Sequence, residues 1–208
     1  MKSNNNIDKK NLCNKSGYDC RDCSLNKKIR CEFRIKDTLL FFIPLIFIFV
    51  LSLYGMFISG FIIWIAIYLI FMSIFYFIWE NRILCSHCPY YNQEGKFLRC
   101  HTHYGFYKLW QYHPESMNQS EKIQWLSGIV ISFIYPLIFL ILGKQYFLFL
   151  LSIVGIIVWI FIILTRSCKS CINFSCPFNR VPENVKKEYL KQNDVMGKAW
   201  KKEGYIIQ

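Results

Sequence analysis

Two apolar blocks, Thr38–Trp79 and Ile123–Leu164, constrain this chain more than anything else in it. Each is 42 residues long, and their only Asp, Glu, Lys, Arg or His is Lys144. A crossing of the hydrocarbon core needs about 20 residues, so each block reads as a two-helix hairpin. In the second block the break falls at Gly143-Lys144-Gln145; in the first, Ser59-Gly60 is the best turn and Tyr54-Gly55 a weaker rival. The expected fold is an all-α membrane protein with four transmembrane helices in two hairpins, carrying small cytoplasmic Cys/His-rich, metal-binding segments. Five regions follow: an N-terminal segment 1–37, hairpins 38–79 and 123–164, a loop 80–122 between them, and a C-terminal segment 165–208.

Only 18% of the residues are charged, against roughly 25% in a soluble domain. The net charge is nonetheless +12, so charge is segregated from the apolar blocks. With the spans subtracted, too little chain remains for a large extramembrane catalytic domain. Of 25 Lys and Arg, ten fall in residues 1–37, five in 80–122, nine from Arg166 onward, and one, Lys144, in a turn. The positive-inside rule therefore expects a multi-pass plasma-membrane protein with both termini and the middle loop cytoplasmic. The basic residues then meet anionic lipid headgroups, and no nucleic acid is expected. A hydrophilic stretch precedes the first apolar run and no cleavage-like site follows it, so that helix is expected to be retained. Trp79, Trp110 and Trp125 suit an interfacial aromatic belt, while Trp64 and Trp159 read as packing residues.

All ten cysteines and all four histidines fall outside the apolar blocks. Three pairs share one spacing: Cys20-x2-Cys23, Cys85-x2-Cys88 and Cys168-x2-Cys171. A CxxC turn brings two thiolates to one metal, and ligands from farther along complete a tetrahedron. Disulfide staples compete with this reading, but a reducing compartment speaks against them. Small buried hydrophobes are a second alternative, which polar, basic surroundings do not favour.

Ligand arithmetic divides the thiols. Cys13, Cys20, Cys23 and Cys31 suffice for an autonomous four-thiolate site. The middle loop offers Cys85, Cys88, Cys100, His101 and His103, with His87 inside its CxxC expected to point away. The C-terminal Cys168, Cys171 and Cys176 are one ligand short, so a centre shared with the middle loop is the economical solution. A faint repeat supports sharing: Arg82, Cys85, Cys88-Pro89-Tyr90-Tyr91-Asn92 in one half, and Arg166, Cys168, Cys171, Cys176-Pro177-Phe178-Asn179 in the other. Cys-Pro leans toward an iron-sulfur cluster at the membrane-proximal segments. His beside Cys leans toward zinc, as do the four N-terminal thiols.

Cys85-Ser-His87-Cys88-Pro89-Tyr90-Tyr91, Leu98-Arg99-Cys100, Lys108-Leu109-Trp110 and Cys171-Ile-Asn173-Phe174-Ser-Cys176-Pro177 together resemble a family of prokaryotic four-span, cysteine-rich membrane proteins of uncharacterised activity. The resemblance runs from about Cys85 to the C-terminus and implies no mechanism. In architecture alone, the chain also looks like the membrane-bound quinol dehydrogenase subunits of nitrate reductase chains, but it lacks their ferredoxin-type cluster runs. The Asp-His-His-Cys motif of four-span palmitoyltransferases is missing.

Absences narrow the function. Neither block has a His for haem ligation or a midplane carboxylate for a proton relay. No phosphate loop or catalytic triad can be picked out, and whether the protein is an enzyme stays open. The leading expectation is a membrane-anchored protein that transfers electrons between a soluble electron donor and a membrane redox subunit or quinone. The alternatives are a zinc-stabilised scaffold that docks a partner protein, and a metal-trafficking protein.

Overall fold

The computed structural model describes residues 25, 28–30 and 33–207. Among them, four helices are long and apolar enough to cross a membrane. Helix α1 (Ile35–Ile58) ends at Ser59-Gly60, where Gly60 takes φ +79, a conformation that suits glycine. Phe61 donates its N–H to Met56 O at 3.0 Å, and α2 (Ile62–Ser73) follows at once. The helical run then continues through a π turn (Ile74–Trp79), a short α3 (Glu80–Ile83) and a 3-10 turn (Cys85–His87). The second candidate span is thus Ile62–His87, longer than its apolar composition indicates.

Helix α4 (Gln119–Leu142) begins with a capping box, in which Asn118 accepts from the Glu121 N–H and Glu121 from the Asn118 N–H, each at 2.9 Å. Its far end turns at Gly143-Lys144-Gln145, with Lys144 at φ 56, into α5 (Tyr146–Ile162). Here too the helical run outlasts the apolar block, through a π turn (Ile163–Ser167) and a 3-10 turn (Cys168–Ser170). Glu80, Cys85 and Cys168 consequently sit on the ends of candidate spans, not in loops as the block boundaries imply. Apolar runs mark where side chains favour lipid, whereas backbone hydrogen bonding carries the helices farther.

Small residues let the helices approach closely. A Cβ on Gly128 of α4 would strike the Phe75 ring, and one on Gly155 of α5 would lie 2.9 Å from Ile48 of α1. Large apolar side chains such as Ile43, Ile70 and Phe147 remain exposed on the outer faces, as a lipid-facing surface requires. Trp159 is buried and donates to Phe41 O at 3.0 Å, matching its reading as a packing residue. Trp125 departs from the aromatic-belt expectation: it is 5% exposed and turned into the bundle. Position near a span end does not reveal which way a side chain faces.

The polar end has a core of its own. Helices α6 (Glu183–Gln192) and α7 (Asp194–Lys202) contribute Tyr189, Leu190, Met196 and Trp200, which cluster with Leu25, Ile29, Tyr90, Ile172 and Phe174. Three sequence segments therefore share one hydrophobic cluster. Trp200 Nε1 donates to Pro114 O at 3.1 Å, and the Tyr90 hydroxyl donates to Arg30 O at 2.9 Å.

Candidate functional site

The ends of the second and fourth spans both reach their CxxC through a π turn and a 3-10 turn that starts at its first cysteine, with α3 between the two turns in the second span and no helix between them in the fourth. The second cysteine then leaves in extended backbone, Cys88 at φ −86, ψ 135 and Cys171 at φ −74, ψ 130. The repeat seen in the residues thus recurs in the conformation. π turns in long helices often mark functional sites, because they re-aim the side chains that follow.

A cavity of about 370 Å³ lies between these ends and extends into the bundle. Its wall includes Cys85, Cys88, Cys100, His101, His103, Cys168, Cys171 and Cys176, which are all the candidate ligands among the described residues. Cys13, Cys20, Cys23 and Cys31, and with them the expected four-thiolate site, lie outside the described residues. The six described cysteines are free thiols. Among the described residues, no three His, Cys, Asp or Glu side chains are placed to hold one metal ion. His87 lies off the cavity wall: its Nδ1 is 2.7 Å from Glu115 O and its Nε2 3.5 Å from Glu121.

The loop that supplies Cys100, His101 and His103 is folded back by a single antiparallel bridge between Phe97 and Tyr107. Leu98 donates to Phe106 O at 2.8 Å, and Asn81 Nδ2 donates to Tyr107 O at 2.8 Å, tying the loop to the span end. Phe106 stacks on Phe77 at 4.5 Å. On the opposite side, Asn179 Nδ2 donates to Cys171 O at 2.8 Å and Asn173 O at 2.9 Å, while Arg180 N–H donates to Cys168 O at 3.0 Å. Asn173 spans the two halves, donating to Leu84 O at 3.1 Å.

Glu80 is the group that sequence reading missed. It is 3% exposed; Oε1 accepts from Trp125 Nε1 at 2.7 Å, and Oε2 is 3.1 Å from His103 Nε2. It is the first residue past the apolar block. Burial disfavours the charged form of His103, but Cys85 and Glu80 more than offset this and hold its pKa well above the usual histidine value. Burial likewise opposes ionisation of Cys100, yet His101 and His103 outweigh it and hold that thiol well below its usual value. Its Sγ is 3.3 Å from Thr102 Oγ1 and 3.9 Å from His101 Nδ1.

The remaining thiols behave oppositely. Burial, followed by the neighbouring Cys100 and Cys171, pushes Cys88 well above its usual value. Burial and Cys100 push Cys171 up to about 12, and burial with Cys171 raises Cys176. Cys100, held below its usual value, therefore lies among thiols that burial holds above theirs. Cys85 and Cys88 are each 6% exposed, contrary to the expectation that thiols in polar segments stay unburied. Cys88 shares its core with residues of α6 and α7, whose packing its sequence neighbours do not reveal.

No protein-family profile, curated protein or solved structure matches this chain.

Proposed function

We propose that this is an integral membrane metal-binding protein whose polar end holds an iron-sulfur cluster between the two CxxC turns, anchoring electron transfer at the cytoplasmic face. In this reading the four spans form two hairpins, the termini and middle loop are cytoplasmic, and the host is the plasma membrane. The observation that carries it is the convergence of thiols from both halves on one cavity, close enough that Cys100 and Cys171 both raise Cys88 and Cys100 raises Cys171. Free thiols of this kind suit soft-metal chemistry. A single tetrahedral zinc ion, with bonds of about 2.3 Å, requires its thiolates to meet at one point. A polynuclear cluster accepts thiolates spaced around a larger volume, which better matches side chains that share a cavity wall but no single-ion site. Cys88, Cys100, Cys171 and Cys176 would hold the cluster, which supplies one-electron chemistry when bound; His103, positioned by Glu80, would balance charge beside it.

The adjacency of His101 and His103 to Cys100 favours a second reading, a zinc-stabilised scaffold that docks a partner. Anaerobic purification separates the two. Brown protein with broad visible absorption and bound iron is the expected result, whereas colourless protein with stoichiometric zinc overturns the cluster. Impermeant thiol reagents should miss Cys85 and Cys168 in intact cells; labelling from outside reverses the orientation.

A further inference from the structure

The cavity does not stop at the cysteines. Its wall follows α1 from Phe41 to Ser52, which is about 16 Å at 1.5 Å per residue, and includes Pro136 of α4. The deep part is lined by apolar and aromatic side chains, while the cysteine end presents Glu80, His103, Trp125 and Asn173. Asn173 Oδ1 is buried there without a hydrogen-bond partner. Among the described residues no Lys or Arg lines the cavity, and Glu80 on its wall is paired with His103 at 3.1 Å, a self-compensated pair that suits an uncharged head. A volume of about 370 Å³ falls near the low end of the roughly 300–1,000 Å³ typical of small-molecule pockets, too small for two acyl chains.

From this shape and charge we infer that the cavity binds a molecule with a neutral, hydrogen-bonding ring head and a single apolar tail, the chemistry of the quinone class. The head lies deeper than the thiols that would hold the cluster, at the level of Tyr76 and Trp125, and the tail runs toward Ser52. The inference rests on the electron-transfer reading, to which it adds the identity of the membrane partner. Asn173 Oδ1 and Glu80 provide acceptors for the hydroxyls of the reduced ring, and His103 a donor for the oxygens of the oxidised one.

The test is a titration of the full-length protein in detergent with a decyl-chain benzoquinone, following quenching of tryptophan fluorescence, since Trp125 and Trp159 line the cavity. Saturable quenching at one quinone per chain is expected, weakened at least tenfold by Ser52→Phe or by Met72→Phe, which fill the cavity from α1 and α2. Decanoic acid should not compete. Linear, unsaturable quenching, or equal displacement by decanoic acid, overturns the inference. A photoreactive azido-quinone read by mass spectrometry serves if a filling variant does not fold. Label on cavity-wall peptides supports the site, and label confined to outward residues such as Phe147 and Phe161 contradicts it. Metal is assayed in parallel on untreated and chelator-treated protein. Metal-free, colourless protein that binds the quinone saturably overturns the cluster alone, and iron-loaded protein without saturable binding overturns the quinone site alone.

Discussion

The two CxxC turns share a backbone path but not an environment. Five residues ahead of Cys85 stands Glu80, buried and paired with His103 and Trp125; five ahead of Cys168 stands Ile163, buried against Ile48 and Trp159. The first turn thus lies beside a carboxylate and an imidazole. Arg180 and Arg30 lie beside the second, and Arg30 also donates to Arg166 O at 2.9 Å. Equal backbone with unequal surroundings assigns the halves different duties: the first controls charge at the shared cavity, and the second completes the thiol set.

The sharpest way to break that comparison is to remove the carboxylate. Glu80→Ala leaves His103 and the Trp125 N–H buried without their partner and should cost about 3–5 kcal/mol, read by thermal unfolding in detergent. Glu80→Gln, which keeps an oxygen for Trp125, should cost less. A smaller loss is expected from Gly128→Ala, about 1–3 kcal/mol, because the added Cβ strikes Phe75 and pushes away the helix that brings Trp125 to Glu80. It should also alter Trp125 emission. Ile163→Val, at the corresponding position of the second half, should cost only about 0.5–1.5 kcal/mol and leave the cysteine environment unchanged. If Glu80→Ala costs no more than Ile163→Val, the two halves do not differ in the way their surroundings indicate.

Some of this was legible in the sequence. Ser59-Gly60 and Gly143-Lys144-Gln145 announce their turns because apolar runs of twice a span's length must break, and these residues tolerate the break. The CxxC spacing and the Cys-Pro repeat mark the two span ends. The π turns carry no sequence signature, since they arise from packing of a continuous helix. Glu80 escaped notice because counting apolar residues stops at the first charge, and only the fold puts Trp125 and His103 around it. The core joining Ile29, Ile172 and Tyr189 is invisible locally, because its members come from distant segments of polar composition.

The central claim is that Cys88 and Cys100 from one half and Cys171 and Cys176 from the other hold one centre. Metal content per chain in Cys88→Ser, Cys176→Ser and the double variant tests it most directly. One shared centre predicts that each single substitution removes the same metal and that the double variant is no worse than either. Strictly additive loss of two separate metals, or undiminished metal in both single variants, contradicts it.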